Sequence, residues 1–177
     1  MNKILKYAST LFVASALASI FYYEYNFLRG NFHAVTPGEA YRSAQLDKQQ
    51  LQYYADKYKI LSILNLRGKE PGAQWYKDEL DFSNTRHIAH YDISLSALSE
   101  PTDKDVEDIE AAFRAAPRPI LIHCLGGADR SGLAAAIWKR VIDKAPKAQA
   151  GRQLALRYGH LPFGKAAVMD RRFNKLD

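Results

Sequence analysis

One cysteine in 177 residues leaves nothing for a disulfide to close, and five scattered histidines beside that single thiol offer no zinc-ligand spacing. The chain also lacks an internal repeat, a low-complexity tract and any long block of like charge, which excludes a solenoid and a charged interaction tail. Its formal net charge of +6 is spread along the sequence rather than gathered in one basic stretch. Such a surface suits anionic phosphoryl substrates and leaves no electrostatic footprint for nucleic acid. With 47% hydrophobic residues the length suffices for one compact domain and a short appendage.

The lone cysteine stands in the most informative stretch, His123-Cys124-Leu125-Gly126-Gly127-Ala128-Asp129-Arg130-Ser131-Gly132. It follows the apolar run Ile120-Leu121-Ile122 and precedes the helix-like Leu133-Ala134-Ala135-Ala136-Ile137. Five residues separate Cys124 from Arg130, two of them glycine, so the segment can close into a loop whose backbone N–H groups face a tetrahedral anion. A thiolate is the attacking form of cysteine, and inward N–H groups together with a helix N-terminus favour it while binding phosphate oxygens. Arg130 can grip two of those oxygens with a bidentate fork that lysine cannot form. Ser131 can hydrogen-bond the sulfur and ease its departure from a phospho-cysteine intermediate. Leu125 through Ser131 are therefore the expected substrate-binding residues, with Cys124 and Arg130 catalytic.

This loop resembles the Cys-x5-Arg phosphate-binding loop of the protein tyrosine phosphatase superfamily, and the short chain resembles its dual-specificity branch. Tyr41-Arg42-Ser43-Ala44-Gln45 and Ile63-Leu64-Asn65-Leu66-Arg67 are similar to upstream elements of bacterial members, exported tyrosine phosphatases among them, so the likeness extends over roughly residues 36 to 160. It implies phosphomonoester hydrolysis without a metal or other cofactor, acting on phosphorylated protein. Loops that take highly charged inositol lipids in this superfamily often carry lysines where this chain has Leu125 and Ala128, which favours phosphotyrosine. Two other classes stay open: a rhodanese-type sulfurtransferase, and a phosphotyrosine-binding module without turnover.

The proton donor is the weak point of that likeness. The resemblance implies an aspartate on the loop between the third strand and the helix opening near Thr102. That loop reads Tyr91-Asp92-Ile93-Ser94-Leu95-Ser96-Ala97-Leu98-Ser99-Glu100-Pro101, with Ala97 where exported relatives carry an Asp shortly after a Leu-Ser pair. Three carboxylates compete. Asp92, 32 positions before Cys124, has a spacing similar to the dual-specificity branch and is the assigned acid; Asp129 lies inside the loop; Glu100 stands at its flexible side. Arg42 and Arg67 follow expected strands and read either as pocket residues or as ion-pair anchors, and Trp75 and Tyr76 as cleft rim or packing.

Residues 1–29 read as a separate segment ahead of a phosphatase domain at 30–177. Lys3 and Lys6 precede an uncharged stretch from Tyr7 to Tyr23, 17 residues that as a helix span about 26 Å against a bilayer core of ~30 Å. The expectation is a transmembrane anchor, with a cleaved secretory signal at Ala16-Leu17-Ala18 as its rival; both put the domain on the non-cytoplasmic, periplasmic side.

The rest of the chain alternates strand and helix. Phe32 to Pro37 reads as a connector and Glu39 to Arg42 as a strand. Asp47 with Gln50 caps a helix through Tyr58. A strand at Ile60 to Leu66, a helix at Trp75 to Phe82 and a strand at Thr85 to Ile93 follow. Thr102 with Asp105 then caps a helix to Ala116. Strand Ile120 to His123 and helix Ser131 to Asp143 flank the loop, and two helices, Gln149 to Tyr158 and Pro162 to Phe173, finish the chain. The predicted fold is α/β, a mostly parallel sheet flanked by helices, with Cys124 at the carboxyl end of a strand.

Overall fold

The computed structural model describes residues 3–176. Five short strands, β1 (His33–Thr36), β2 (Ala40–Ser43), β3 (Ser62–Asn65), β4 (Ala89–Asp92) and β5 (Ile120–His123), form one sheet in the order β1-β2-β5-β3-β4. The pairs β2·β5, β5·β3 and β3·β4 are parallel, and β1 closes one edge antiparallel to β2. The central strand β5 is therefore the one that runs into the Cys124 loop.

Strand residues alternate between two cores, as a pleated sheet buried on both faces requires. Ile120, Ile122, Leu64 and Leu66 join the larger core beneath α4 (Asp103–Ala115) and α5 (Arg130–Val141). Leu121, Ile63 and Tyr41 face the smaller one beneath α2 (Lys48–Tyr58) and α3 (Gln74–Thr85). In the larger core Phe113 meets Trp138 edge to face, ring centroids 5.1 Å apart. In the smaller one Phe32 stacks on Tyr54 at 3.9 Å and also on Tyr41 and Tyr58.

Helix starts follow their local signals. Asp47 accepts from the Gln50 amide while the Gln50 side chain accepts from the Asp47 amide, and Thr102 and Asp105 form the same reciprocal box ahead of α4. The segment read as a connector is partly strand: Gly38, at φ +80°, turns β1 back onto β2. After α5 the expected long helix is only α6 (Lys147–Ala150), followed by 3-10 turns at Gly151–Gln153 and Leu156–Tyr158. Close packing of Gly151 on Phe173 and the left-handed Gly159 keep this stretch irregular. The last helix, α7 (Val168–Lys175), begins later than expected and buries Val168, Met169 and Phe173 in the larger core.

The amino-terminal segment forms α1 (Lys3–Leu28), but among the described residues no helix is long and apolar enough to cross a membrane. The expected transmembrane span is thus not supported. The hydroxyls of Ser9, Thr10, Ser15 and Ser19, the tyrosines at 22 and 23 and the charge of Glu24 dilute the apolar run. Ser15 and Ser19 turn their hydroxyls back onto the carbonyls of Phe12 and Ser15. The helix closes with bonds from the Gly30 amide to the Phe27 carbonyl and from Asn31 to Asn26, Gly30 taking φ +69°.

In urea unfolding, Phe113→Ala should cost about 3–5 kcal/mol and Thr102→Ala about 1 kcal/mol, the difference between an emptied core site and a lost cap.

Candidate active site

Four consecutive carbonyls of the segment after Cys124 are held from outside. The Gln45 amide donates to the Leu125 carbonyl at 3.0 Å, and Asn31 Nδ2 to that of Gly126 at 3.0 Å. Arg42 Nη2 donates to the carbonyls of Gly127 and Ala128 at 2.9 and 2.8 Å. In a planar trans peptide the N–H points opposite the C=O, so the amides of Gly126, Gly127, Ala128 and Asp129 are turned to the concave side. Among the described residues those amides donate to no backbone carbonyl. Asp129 occupies the N-cap of α5 without capping it, and among the described residues the amides of Arg130 and Ser131 donate to no backbone carbonyl either. Gly127 is required twice over: φ is +70°, and a Cβ there would stand 2.5 Å from the Ala44 nitrogen.

The sulfur lies at the floor of this nest. Cys124 is 2% exposed and its Sγ is 3.4 Å from Ser131 Oγ, within sulfur hydrogen-bond reach. Arg130 Nη1 donates to the carbonyls of Leu66 and Leu95, at 3.4 and 3.2 Å, which hangs its guanidinium beside the loop from the end of β3 and the segment after β4. Of the predicted residues, Cys124 and Leu125 through Ser131, Arg130 among them, form this one loop, whereas Asp92 stands at the end of β4.

Arg42 is not an ion-pair anchor. It is buried, and among the described residues its guanidinium meets only acceptors without formal charge: Gly127, Ala128 and, at 2.6 and 3.2 Å, the Gln153 carbonyl and Oε1. Its Cζ lies 4.3 Å from the Tyr158 ring centre. Burial lowers its pKa to about 10, so it stays charged at neutral pH and sets a fixed positive charge behind the anion site. Arg67 stacks on Trp75 at 3.6 Å and donates to Gln45 Oε1 at 3.2 Å, and its contact with Glu70 is long, 3.9 Å. Asn31, which also donates to the Tyr158 carbonyl at 2.9 Å, is oriented by His33 Nε2 at 2.9 Å from its Oδ1. Burial, with Arg42 and Arg157 nearby, lowers His33 to about 4, leaving it neutral with Nε2–H as donor.

A second network fixes the loop's entry. Glu79 of α3 is buried, with Oε1 2.9 Å from His90 Nε2 and 3.1 Å from His123 Nε2, while Oε2 accepts from Gln45 Nε2 at 3.0 Å. Burial alone would raise its carboxyl, but the charge and hydrogen bond of His123 and the bonds from His90 and Gln45 outweigh it and hold it well below the usual range.

The three carboxylates differ in what already engages them. Asp92 ends β4, two strands from β5 and so roughly 10 Å from His123 across the sheet. Its Oδ1 accepts from Asn65 Nδ2 and its Oδ2 from the Tyr76 hydroxyl, both at 2.8 Å, and its side chain is 10% exposed. Burial and the bond to Asp92 push Tyr76 up to about 12, so that hydroxyl remains a donor. Glu100 is held by Lys175 at 2.6 Å and by Arg171 at 3.6 Å, the bond to Lys175 keeping it ionised below the usual range. Asp129 has Oδ1 2.6 Å from His160 Nδ1 and a side chain 33% exposed.

Asn31, Glu79 and His160 carry no mark in the sequence. Glu79 could have been found only as a charged residue in the buried stripe Tyr76, Glu79, Ser83 of α3.

Glu79→Gln should lower stability by about 3–5 kcal/mol at pH 7, because His123 and His90 lose a charged acceptor. A depressed folded pKa contributes stability above the ordinary value of 4.5 and loses it as pH falls below. Urea unfolding should therefore show the gap between wild type and variant shrinking from pH 7 toward pH 3.

No curated protein matches the chain closely enough to count as a relative. Solved structures do. The core catalytic domain of the S. cerevisiae PP-IP phosphatase Siw14 superposes with a TM-score of 0.67 at 23% identity, covering 83% of this chain and 85% of that one. P. aeruginosa TpbA gives 0.61 at 19% identity over 83% and 85%, and human DUSP28 gives 0.52 at 15% over 81% and 94%. At these identities the likeness speaks for the fold. A model described as the tyrosine phosphatase family matches residues 27–148, from the end of α1 through the sheet, the Cys124 loop and α5. The chain therefore belongs to the tyrosine phosphatase family.

Proposed function

We propose that the protein hydrolyses phosphomonoesters through a phospho-cysteine intermediate, with phosphotyrosine in proteins as its preferred substrate. The observation that carries this reading is the outward anchoring of the Leu125, Gly126, Gly127 and Ala128 carbonyls, which turns a row of amides over the Cys124 sulfur. A phosphoryl group seated there receives N–H donors on its equatorial oxygens, the Arg130 fork at its side and the buried Arg42 charge behind. These donors are aimed where charge collects in the transition state. The Cys124 thiolate forms the S–P bond as the P–O bond to the leaving group breaks. Water then cleaves the S–P bond, and Ser131 donates to the departing sulfur.

The leaving oxygen needs a proton, worth ~10²- to 10⁴-fold. Asp129 is favoured over Asp92 as donor: it lies in the loop beside Arg130 and keeps one oxygen uncommitted, whereas Tyr76 and Asn65 occupy both oxygens of Asp92. Phosphotyrosine is favoured by the neutral, apolar side chains of Leu125 and Ala128, Leu125 being exposed, and by TpbA, whose cysteine-to-serine form is solved in complex with pTyr. Siw14 is a PP-IP phosphatase, which makes inositol pyrophosphate the informative competitor.

The 177-residue chain and its Cys124→Ser variant should be assayed on p-nitrophenyl phosphate, a phosphotyrosyl peptide and an inositol pyrophosphate. The reading expects turnover of the first two, abolished by the substitution. Faster turnover of the inositol compound overturns the substrate preference. Peptide binding without turnover in both proteins points to a binding module, and sulfur transfer from thiosulfate to a sulfurtransferase.

Residues 1–29 are further proposed to carry the domain out of the cytoplasm. Lys3 and Lys6 precede a stretch whose Leu11, Phe12, Leu17, Ile20 and Phe21 lie exposed on α1. Fusing these residues to an alkaline phosphatase reporter, active only after export, should give activity; an inactive, stably expressed fusion overturns it.

A further inference from the structure

His160 lies outside every motif of the sequence, yet it is fully buried and bonded at both ring nitrogens to carboxylates from different parts of the chain. Its Nδ1 stands 2.6 Å from Asp129 Oδ1 in the phosphate loop and its Nε2 2.8 Å from Asp170 Oδ2 on α7. The backbone presses the ring into this place. Gly159, at φ +82°, turns the segment after the Leu156–Tyr158 turn, and a Cβ on it would lie 3.7 Å from Ala128 Cβ. The Asp170 end is equally fixed, because α7 is tied to the start of α4 by Arg172–Asp103 at 2.6 Å and to Glu100 by Lys175 at 2.6 Å.

Carboxylate oxygens accept, so a ring bonded at both ends donates at both. Burial opposes the imidazolium, but the bonds to Asp129 and Asp170 outweigh it and raise its pKa. Asp170 balances that charge, so Asp129 faces a neutral pair rather than a bare cation. Asp129 Oδ1 is thereby fixed, its side chain makes no capping bond to α5, and Oδ2 makes no hydrogen bond to another described residue.

We infer that His160, backed by Asp170, is the positioning residue for the proton donor: it holds the Asp129 carboxyl by one oxygen at the edge of the phosphate loop and leaves the other to protonate the leaving group. This rests on the reading of Asp129 as the acid. In the step, the Asp129 Oδ2 proton passes to the leaving oxygen as the P–O bond breaks and the S–P bond forms. The resulting carboxylate regains a proton from the water that then cleaves the S–P bond. His160 changes neither its bonds nor its proton count.

The test compares wild type, Asp129→Asn and His160→Asn by kcat/KM on p-nitrophenyl, phenyl and alkyl phosphates, esters whose leaving groups need a proton increasingly. Asparagine at 160 can still donate to Asp129 but cannot reach Asp170, and measurable p-nitrophenyl phosphate turnover reports that each variant folds. The expected result is a loss in both variants that grows along the series, reaching roughly 10²-fold on the alkyl ester for His160→Asn, the scale of a misplaced catalytic group. An Asp129→Asn loss that is flat along the series overturns the acid reading and this inference with it. A graded loss in Asp129→Asn with a flat loss in His160→Asn, or with none, leaves Asp129 as the acid and overturns the role of His160.

Discussion

The guanidinium of Arg42 is the fixture on which the site depends. A loop that offers its amides to an anion must point its carbonyls elsewhere, and buried carbonyls need donors. Arg42 supplies them for Gly127 and Ala128 from the middle of the sheet, while Asn31 and the Gln45 amide do the same for Gly126 and Leu125. Because Arg42 is on β2, which pairs in parallel with β5, the donor and the strand that delivers Cys124 keep a fixed register. The concavity is therefore a property of the sheet rather than of the loop alone. The close approach of Gly132, where a Cβ would stand 3.0 Å from Arg42 Nη2, brings α5 into the same arrangement.

Two further polar clusters act at the loop's two ends. At its entry, Glu79 binds His123, next to Cys124, and reaches Gln45, whose amide holds the Leu125 carbonyl. At its exit, His160 binds Asp129 next to Arg130. Both clusters sit in low-dielectric surroundings where a satisfied charge is rigid and an unsatisfied one is costly. Helices remote in sequence, α3 and α7, thus each lend one carboxylate to holding the seven-residue segment from Cys124 to Arg130.

What the sequence made legible is what is local. The capping boxes at Asp47 and Thr102 span four residues each and are present as read. The decapeptide around Cys124 encodes its own turn through Gly127, and the alternation of apolar strands with amphipathic helices is enough to imply a parallel sheet. Asn31, Glu79 and His160 were not legible because their partners lie 95, 44 and 31 positions away, and an isolated polar residue has no period to betray it. Asp92 illustrates the same limit: chain spacing carries no information about whether Asn65 and Tyr76 already occupy its oxygens. The span expected at residues 7–23 came from an absence of charge, but hydroxyls and phenols within it kept the helix too polar.

Among the described residues, the uncapped start of α5 and the inward amides of the loop leave a row of donors with no backbone acceptor. In most folds such a row would be closed by a side chain, and Asp129, the residue placed to do so, is turned away to His160. A tetrahedral anion is then more than a ligand. It would complete the hydrogen-bond inventory of the loop, tying occupancy to local order.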